Sequence, residues 1–216
     1  MSATRGGVIS LVVAAILALS ACKHEESLPA PKPTSESPAS APPTERVVGP
    51  LSNEDAQALA TMTDRLNEYI ELYTKLEGTL PKLPKDATPQ QIDNNQRMLG
   101  KLVQQARRTA KPGDIFTPQA RPVIKHLLAS VFGGPDGKQL KASIMDERQA
   151  APSAVKLRVN ARYPDIVPLT SVPPQVLQTL PKLTENLEYR FIGDSLILLD
   201  VHAHVIVDFI DGAMPH

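Results

Sequence analysis

Residues 23 to 50 read KHEESLPAPKPTSESPASAPPTERVVGP, a run of proline, serine, alanine and glutamate with almost no large apolar side chain. Such a stretch buries too little surface to offset its ordering entropy, so it cannot contribute to a core. Whatever folds in this chain must therefore be built from residues 51 to 216, a length that closes a single core. The proline-rich stretch reads as a tether. Fully extended at ~3.1 Å per residue it reaches up to ~85 Å, and as a coil ~30 Å. No internal repeat is visible in the rest.

The first residues, MSATRGGVISLVVAAILALSAC, carry one basic residue, Arg5, then an uncharged apolar run from Val8 to Leu19, then small residues. That is the three-part plan of a secretory signal. The run is shorter than the ~20 apolar residues of a membrane-crossing helix. At its end, Leu19-Ser20-Ala21-Cys22 resembles the lipobox of bacterial lipoprotein precursors. The resemblance implies that Cys22 receives a diacylglyceryl group, that the signal is cut ahead of it, and that the new amino terminus is acylated, with chains such as palmitate. Two acyl chains already anchor a protein stably, because each buried methylene contributes ~0.8 kcal/mol. In proteobacterial members of this group an aspartate after the cysteine favours the inner membrane, so Lys23 leans toward the outer membrane. The alternative is an ordinary secretory signal cleaved near Ala21, leaving a free thiol.

The expected organisation is thus a signal at 1–21, a lipidated Cys22 with its tether at 22–50, and one domain at 51–216. Cys22 is the only cysteine, so an internal disulfide is excluded and a catalytic thiol nearly so. Lys plus Arg and Asp plus Glu each number 23. Removing Arg5 with the signal leaves the mature chain close to neutral. No basic stripe tracks a phosphate backbone, and the chain has no tryptophan and eight other aromatics, so nucleic acid is not an expected partner.

Residues 51–150 carry a helical period. Ser52, with an acid three residues on, marks a helix start, and Leu59, Met62, Leu66, Tyr69, Ile70, Tyr73 and Leu76 form one face up to Gly78 and Pro81. Thr88-Pro89-Gln90-Gln91 opens a second helix with stripe Ile92, Leu99, Leu102, Val103 and Ala106. Thr117-Pro118 opens a third, carrying Val123, Ile124, Leu127, Leu128, Val131 and Phe132 to Gly133. A shorter fourth runs from about Pro135 to Arg148.

Residues 151–216 change period. Val155, Leu157 and Val159 alternate with polar residues as a half-buried strand. The proline-studded segment 164–186 supports little more than a helical turn near Gln175 to Leu180. LEYRFI, SLILLDV and VIVDFI then read as an antiparallel meander. The predicted fold class is α+β, with three to four N-terminal helices packed on a small C-terminal antiparallel sheet.

The strand-like run from 196 to 210 would reach ~50 Å if unbroken, so it is expected to fold back. A three-residue loop at His202-Ala203-His204 sets Val201 opposite Val205, Leu199 opposite Val207 and Ile197 opposite Phe209 on one face. An odd loop near Gly193-Asp194 adds Leu187, Tyr189 and Phe191 to it. Glu188, Arg190, Asp200 and Asp208 then share the second face with Ile192, Leu196, Leu198, Ile206 and Ile210. That half-apolar face calls for a cover, either residues 164–186 or a partner.

Candidate chemistry is sparse. His202 and His204, with Asp200 or His216, are a metal-site alternative for Zn²⁺ or Cu²⁺, since alternate strand positions point the same way; the other reading is an exposed hairpin tip. His126 falls on the polar side of the third helix and His24 in the tether. Ser153-Ala154-Val155-Lys156 matches a Ser-x-x-Lys pattern, but its lysine falls in the expected strand rather than on a helix. No nucleophile elbow, zinc-protease motif or phosphate-binding glycine loop occurs, and no cofactor is indicated.

The stretch from VKLRVNARYPD to the end of LEYRFIGDSLILLDVHAHVIVDFI is similar to the tails of uncharacterised secreted and lipid-anchored bacterial proteins, and GDIFTP at 113–118 recurs with it. The resemblance bears on architecture alone and carries over no functional residue. The leading expectation is a noncatalytic module of the cell envelope, facing the periplasm, anchored through its lipid and binding an envelope protein or polymer. The rival is a hydrolase or metal-dependent enzyme whose site assembles from residues distant in sequence, which a deep pocket enclosing two or more of Glu188, Asp200, His202, His204 and Asp208 would favour. A third reading is metal binding through the tip histidines.

Overall fold

A computed structural model describes residues 51–148, 156–169 and 171–215. The signal, Cys22, the tether, Ser153, Val155 and His216 lie outside the described residues. Helix α1 spans Asn53–Glu77. Ser52 caps it, its hydroxyl accepting from the Asp55 amide at 3.1 Å, and Glu54 and Asp55 complement the helix dipole. Its buried face is Ala58, Met62, Leu66, Tyr69 and Tyr73, with Leu59, Ile70 and Leu76 on the flanks. Helix α2, Pro89–Ala106, starts with the expected reciprocal box between Thr88 and Gln91.

The buried face of α2 is narrower than its periodicity suggests, reduced to Leu99, Gly100 and Val103, while Ile92 is 51% exposed. The reason is a close approach. A Cβ on Gly100 would lie 2.7 Å from the Ala203 carbonyl oxygen, so only glycine lets the helix seat against the β-hairpin tip. Helix α3 spans Ala120–Phe132; Thr117 still accepts from the Ala120 amide at 3.2 Å, although regular helix begins later than Thr117-Pro118 implied. Helix α4 covers Gly137–Arg148, and α5 is one turn, Pro174–Leu177. Helix α3 packs on α1, α4 and α5, and buries Ala120, Val123, Ile124, Leu127, Leu128 and Phe132.

Strands β1 (Leu187–Ile192), β2 (Ser195–Asp200) and β3 (Val205–Ile210) form an antiparallel meander in the order β1-β2-β3. The α+β arrangement of helices on a small sheet is as expected; the facing of the strands is not. Ile192 pairs with Ser195, so the β1–β2 turn has two residues, Gly193 and Asp194, with Gly193 at φ 65°. An even turn inverts β2 relative to the odd one assumed from sequence. Leu196 and Leu198 therefore join Leu187, Tyr189 and Phe191 on the helix side.

The second connection also differs. Asp200 pairs with Val205, which leaves four loop residues, Val201 to His204, and a bulge between Leu198 and Leu199 then absorbs Val207. Ile197 still faces Phe209 as expected, but Leu199 faces Ile206 and Leu198 faces Asp208. Asp200 and Asp208 consequently point into the helix-side core rather than onto the second face. Both are fully buried.

Ile197, Leu199, Ile206 and Phe209 occupy the second face. They are covered by Tyr163 and Val167, with Leu157, Val159, Ile192 and Val201 at the margin. The cover is thus residues 157–167, and Val172, Val176 and Leu180 of the later segment pack on the helix side instead. The strand expected around Leu157 and Val159 is replaced by a turn and one antiparallel bridge between Arg162 and Val205. Asn160 explains the change. At φ 62° its amide donates to the Ile206 carbonyl at 2.8 Å, while its side-chain nitrogen donates to the Gln104 and Arg107 carbonyls at 2.9 and 3.0 Å, closing the end of α2. The described domain lies within one compact unit, Arg46–His216. Among the described residues no helix is long and apolar enough to cross a membrane.

Candidate functional site

Each inward carboxylate is tied into the fold. Asp208 accepts from the amides of Ile115 and Phe116 at 2.9 Å each, of Gly113 at 3.2 Å and of Phe209 at 2.8 Å. The Arg121 guanidinium stands 4.0 Å away. Burial pushes the Asp208 carboxyl up, and the four amide donors oppose that push. All four partners donate, so an acceptor-only carboxylate satisfies them and a protonated one would add a surplus donor. Asp208 thereby pins the loop from Lys111 to Thr117, in which Gly113 adopts φ 100°. This ties the GDIFTP stretch to the final strand.

Asp200 accepts from the Tyr69 hydroxyl at 2.5 Å and from the Ala203 amide at 2.7 Å. Burial raises its carboxyl, and the Tyr69 hydrogen bond acts against this. Burial, followed by the Asp200 charge, drives the Tyr69 hydroxyl far above its ordinary range, so it serves as a fixed donor. One turn on in α1, the Tyr73 hydroxyl lies 2.8 Å from both Glu77 Oε1 and His202 Nδ1. Two rows of side chains from α1 thus lock the hairpin connecting β2 and β3.

The two tip histidines separate. His202 points to Tyr73 and Glu77 and is 60% exposed, whereas His204, at φ 54°, turns the other way, 3.6 Å from Asp165 and edge-on to Tyr163. Burial first, then the charge of Arg162, holds the His204 imidazole below its usual pKa. Asp200 is held by Tyr69 and the Ala203 amide, with the His202 amide and charge as lesser influences, and it does not reach His204. Among the described residues no group of three or more His, Cys, Asp or Glu is placed to hold a metal ion. Glu188 and Arg190 hydrogen-bond to each other on the second face, with the sheet between them and the two inward acids. His126 is exposed and Lys156 lies in no regular element.

A concave site among the described residues lies elsewhere. A cleft of about 600 Å³ opens between α1 and the loop pinned by Asp208, lined by Thr61, Arg65, Glu68, Tyr69, Arg107 and Asp114, with Thr117 and Gln119 among the residues completing it. Arg65 and Glu68 form an ion pair at 2.9 Å, both well exposed. Arg107 lies deeper. It donates to the Val207 carbonyl at 3.1 Å, and its guanidinium carbon lies 5.1 Å from the centre of the Tyr69 ring. Burial lowers its pKa, while Tyr69, Asp114, Asp208 and Asp200 act in the opposite direction. Asp114 accepts from the Lys111 amide at 3.0 Å.

None of Glu188, Asp200, His202, His204 and Asp208 lines this cleft, and neither does a serine, cysteine or histidine. Its residues were not singled out as functional from sequence, except that Tyr69 marked a core face. One wall of the cleft is the loop formed by the GDIFTP stretch at 113–118. Comparison with protein-family models, with curated proteins and with solved structures gave no match.

Proposed function

We propose that this protein is a noncatalytic binding module of the bacterial cell envelope, held to a membrane by lipid on Cys22 and engaging its ligand in the cleft between α1 and the 107–119 loop. The observation that carries the reading is the commitment of the inward acids: Asp208 and Asp200 spend their oxygens on amides and on Tyr69, away from the cleft. Acid–base or nucleophilic chemistry needs a group within hydrogen-bonding reach of a bound substrate, and the cleft's own carboxylates are engaged, Glu68 by Arg65 and Asp114 by the Lys111 amide. The cleft instead offers two hydroxyl-bearing threonines, an amide, a tyrosine ring and fixed charges, the inventory of recognition.

The lipobox resemblance supports the anchor and the 22–50 tether supports reach from the surface, with Lys23 favouring the outer membrane. The partner on this reading is an envelope protein or polymer. Site-specific photo-crosslinking in intact cells tests it. A crosslinker at exposed Gln119 on the cleft should capture a defined adduct that one at Ile166, 71% exposed, does not. Adducts from Ile166 alone, or from neither position, would overturn the reading.

A further inference from the structure

We propose that the cleft recognises a zwitterion of peptide chemistry, a ligand carrying a free carboxylate near a free ammonium group, with Arg107 taking the first and Asp114 the second. This rests on the cleft being the binding site. Four charged residues line it, and two cancel: Arg65 pairs with Glu68. The other two, Arg107 and Asp114, form no direct ion pair, although each lies within the other's electrostatic reach. Among the described residues no carboxylate lies within 4 Å of the Arg107 guanidinium and no cation within 4 Å of Asp114, although both face one cavity.

Arg107 has five N–H donors, and among the described residues its hydrogen bonding is to a single carbonyl, that of Val207. A planar guanidinium backed by the Tyr69 ring is preorganised for a two-pronged carboxylate contact, and burial strengthens such a contact by excluding water. Asp114 has Oδ2 on the Lys111 amide, which holds the side chain in place without neutralising it. A doubly charged phosphate would meet Asp114 and Glu68 in the same space and be repelled, whereas a zwitterion matches both signs. Thr61, Thr117 and Gln119 supply neutral donors and acceptors for peptide groups between the two ends. A cavity of about 600 Å³ accommodates several residues' worth of such a chain.

The test uses the full chain purified in detergent, titrated with tri-alanine, N-acetyl-tri-alanine, tri-alanine amide and inorganic phosphate, with binding read by amide chemical shifts. Tri-alanine should perturb residues 61–69 and 113–119, and capping either end should weaken binding on the order of tenfold. Asp114→Asn, which keeps an acceptor for the Lys111 amide, should abolish the preference for tri-alanine over its N-acetyl form while leaving the preference over the amide. Arg107→Gln, which removes the positive charge, should do the converse, and native-like shifts elsewhere would certify its fold. Equal binding of capped and uncapped peptides, preferred binding of phosphate, or a preference that survives Asp114→Asn overturns the proposal. If no zwitterion binds while Gln119 still crosslinks, the ligand class is wrong and the cleft stands. Loss of both removes the cleft reading itself.

Discussion

Asp208→Asn isolates what the buried carboxylate does for the domain. The best placement of the asparagine oxygen is at the Oδ2 position, where it keeps the Ile115 and Phe116 amides at 2.9 Å. The new NH₂ group then faces the Phe209 amide, which had donated to Oδ1 at 2.8 Å, so one buried donor is stranded at a cost of about 1–3 kcal/mol. The retained bonds also lose charge assistance, a further ~1 kcal/mol or so each before the loop relaxes. Allowing for relaxation, a loss of about 3 kcal/mol is expected, a large share of the ~5–15 kcal/mol that holds a domain together. Urea denaturation at neutral pH, followed by far-UV circular dichroism, reads the loss, and hydrogen exchange at Ile115 and Phe116 localises it. A change below ~0.5 kcal/mol with both amides still protected would refute the assigned role.

Gly100→Ala should destabilise by about 1–3 kcal/mol despite alanine's better helix propensity, because the new methyl meets backbone at Ala203; a more stable variant in the same denaturation assay would contradict that contact. Tyr69→Phe strands Asp200 Oδ2, and a double-mutant cycle with Asp200→Asn should return a coupling above ~1 kcal/mol, whereas additive effects would separate the two residues. His204 is held below the reference value of 6.5, so the folded form resists a proton that the unfolded chain accepts. Its contribution is therefore complete above pH 6.5 and declines as pH falls toward the depressed native value; His204→Asn, which tolerates the positive φ, should flatten that part of the stability profile, and an unchanged slope would exclude His204 as its source. Cys22→Ser should move the protein from the membrane to the soluble fraction, and mass spectrometry of the wild type showing a free thiol would remove the anchor.

Local signals in the sequence foretold the elements well. Ser52 and Thr88 mark helix starts because capping is settled within three residues, and strands β1 to β3 are bounded by Gly193-Asp194 and the histidine loop. Facing was not legible, because it turned on loop parity. Asp200 faces inward where it meets Tyr69, 131 residues away, and Asp208 faces inward where it meets amides 92 to 95 residues away. A polar residue between apolar neighbours reads as solvent-facing by alternation, and only a partner remote in sequence reverses that. The same applies to residues 157–167, where Asn160 abandons strand geometry to close α2. Arg107 carried no signal of its own, since an arginine just past a helix end is ordinarily solvated.

Hydrogen exchange on the full mature chain, with and without a soluble extract of the cell envelope, tests the central claim most directly when the bound material is recovered and weighed. Added protection across residues 61–69 and 113–119, with the ligand released at unchanged mass, is the predicted result. Protection centred on the 201–204 loop, or a ligand recovered chemically altered, would contradict a noncatalytic module acting through this cleft.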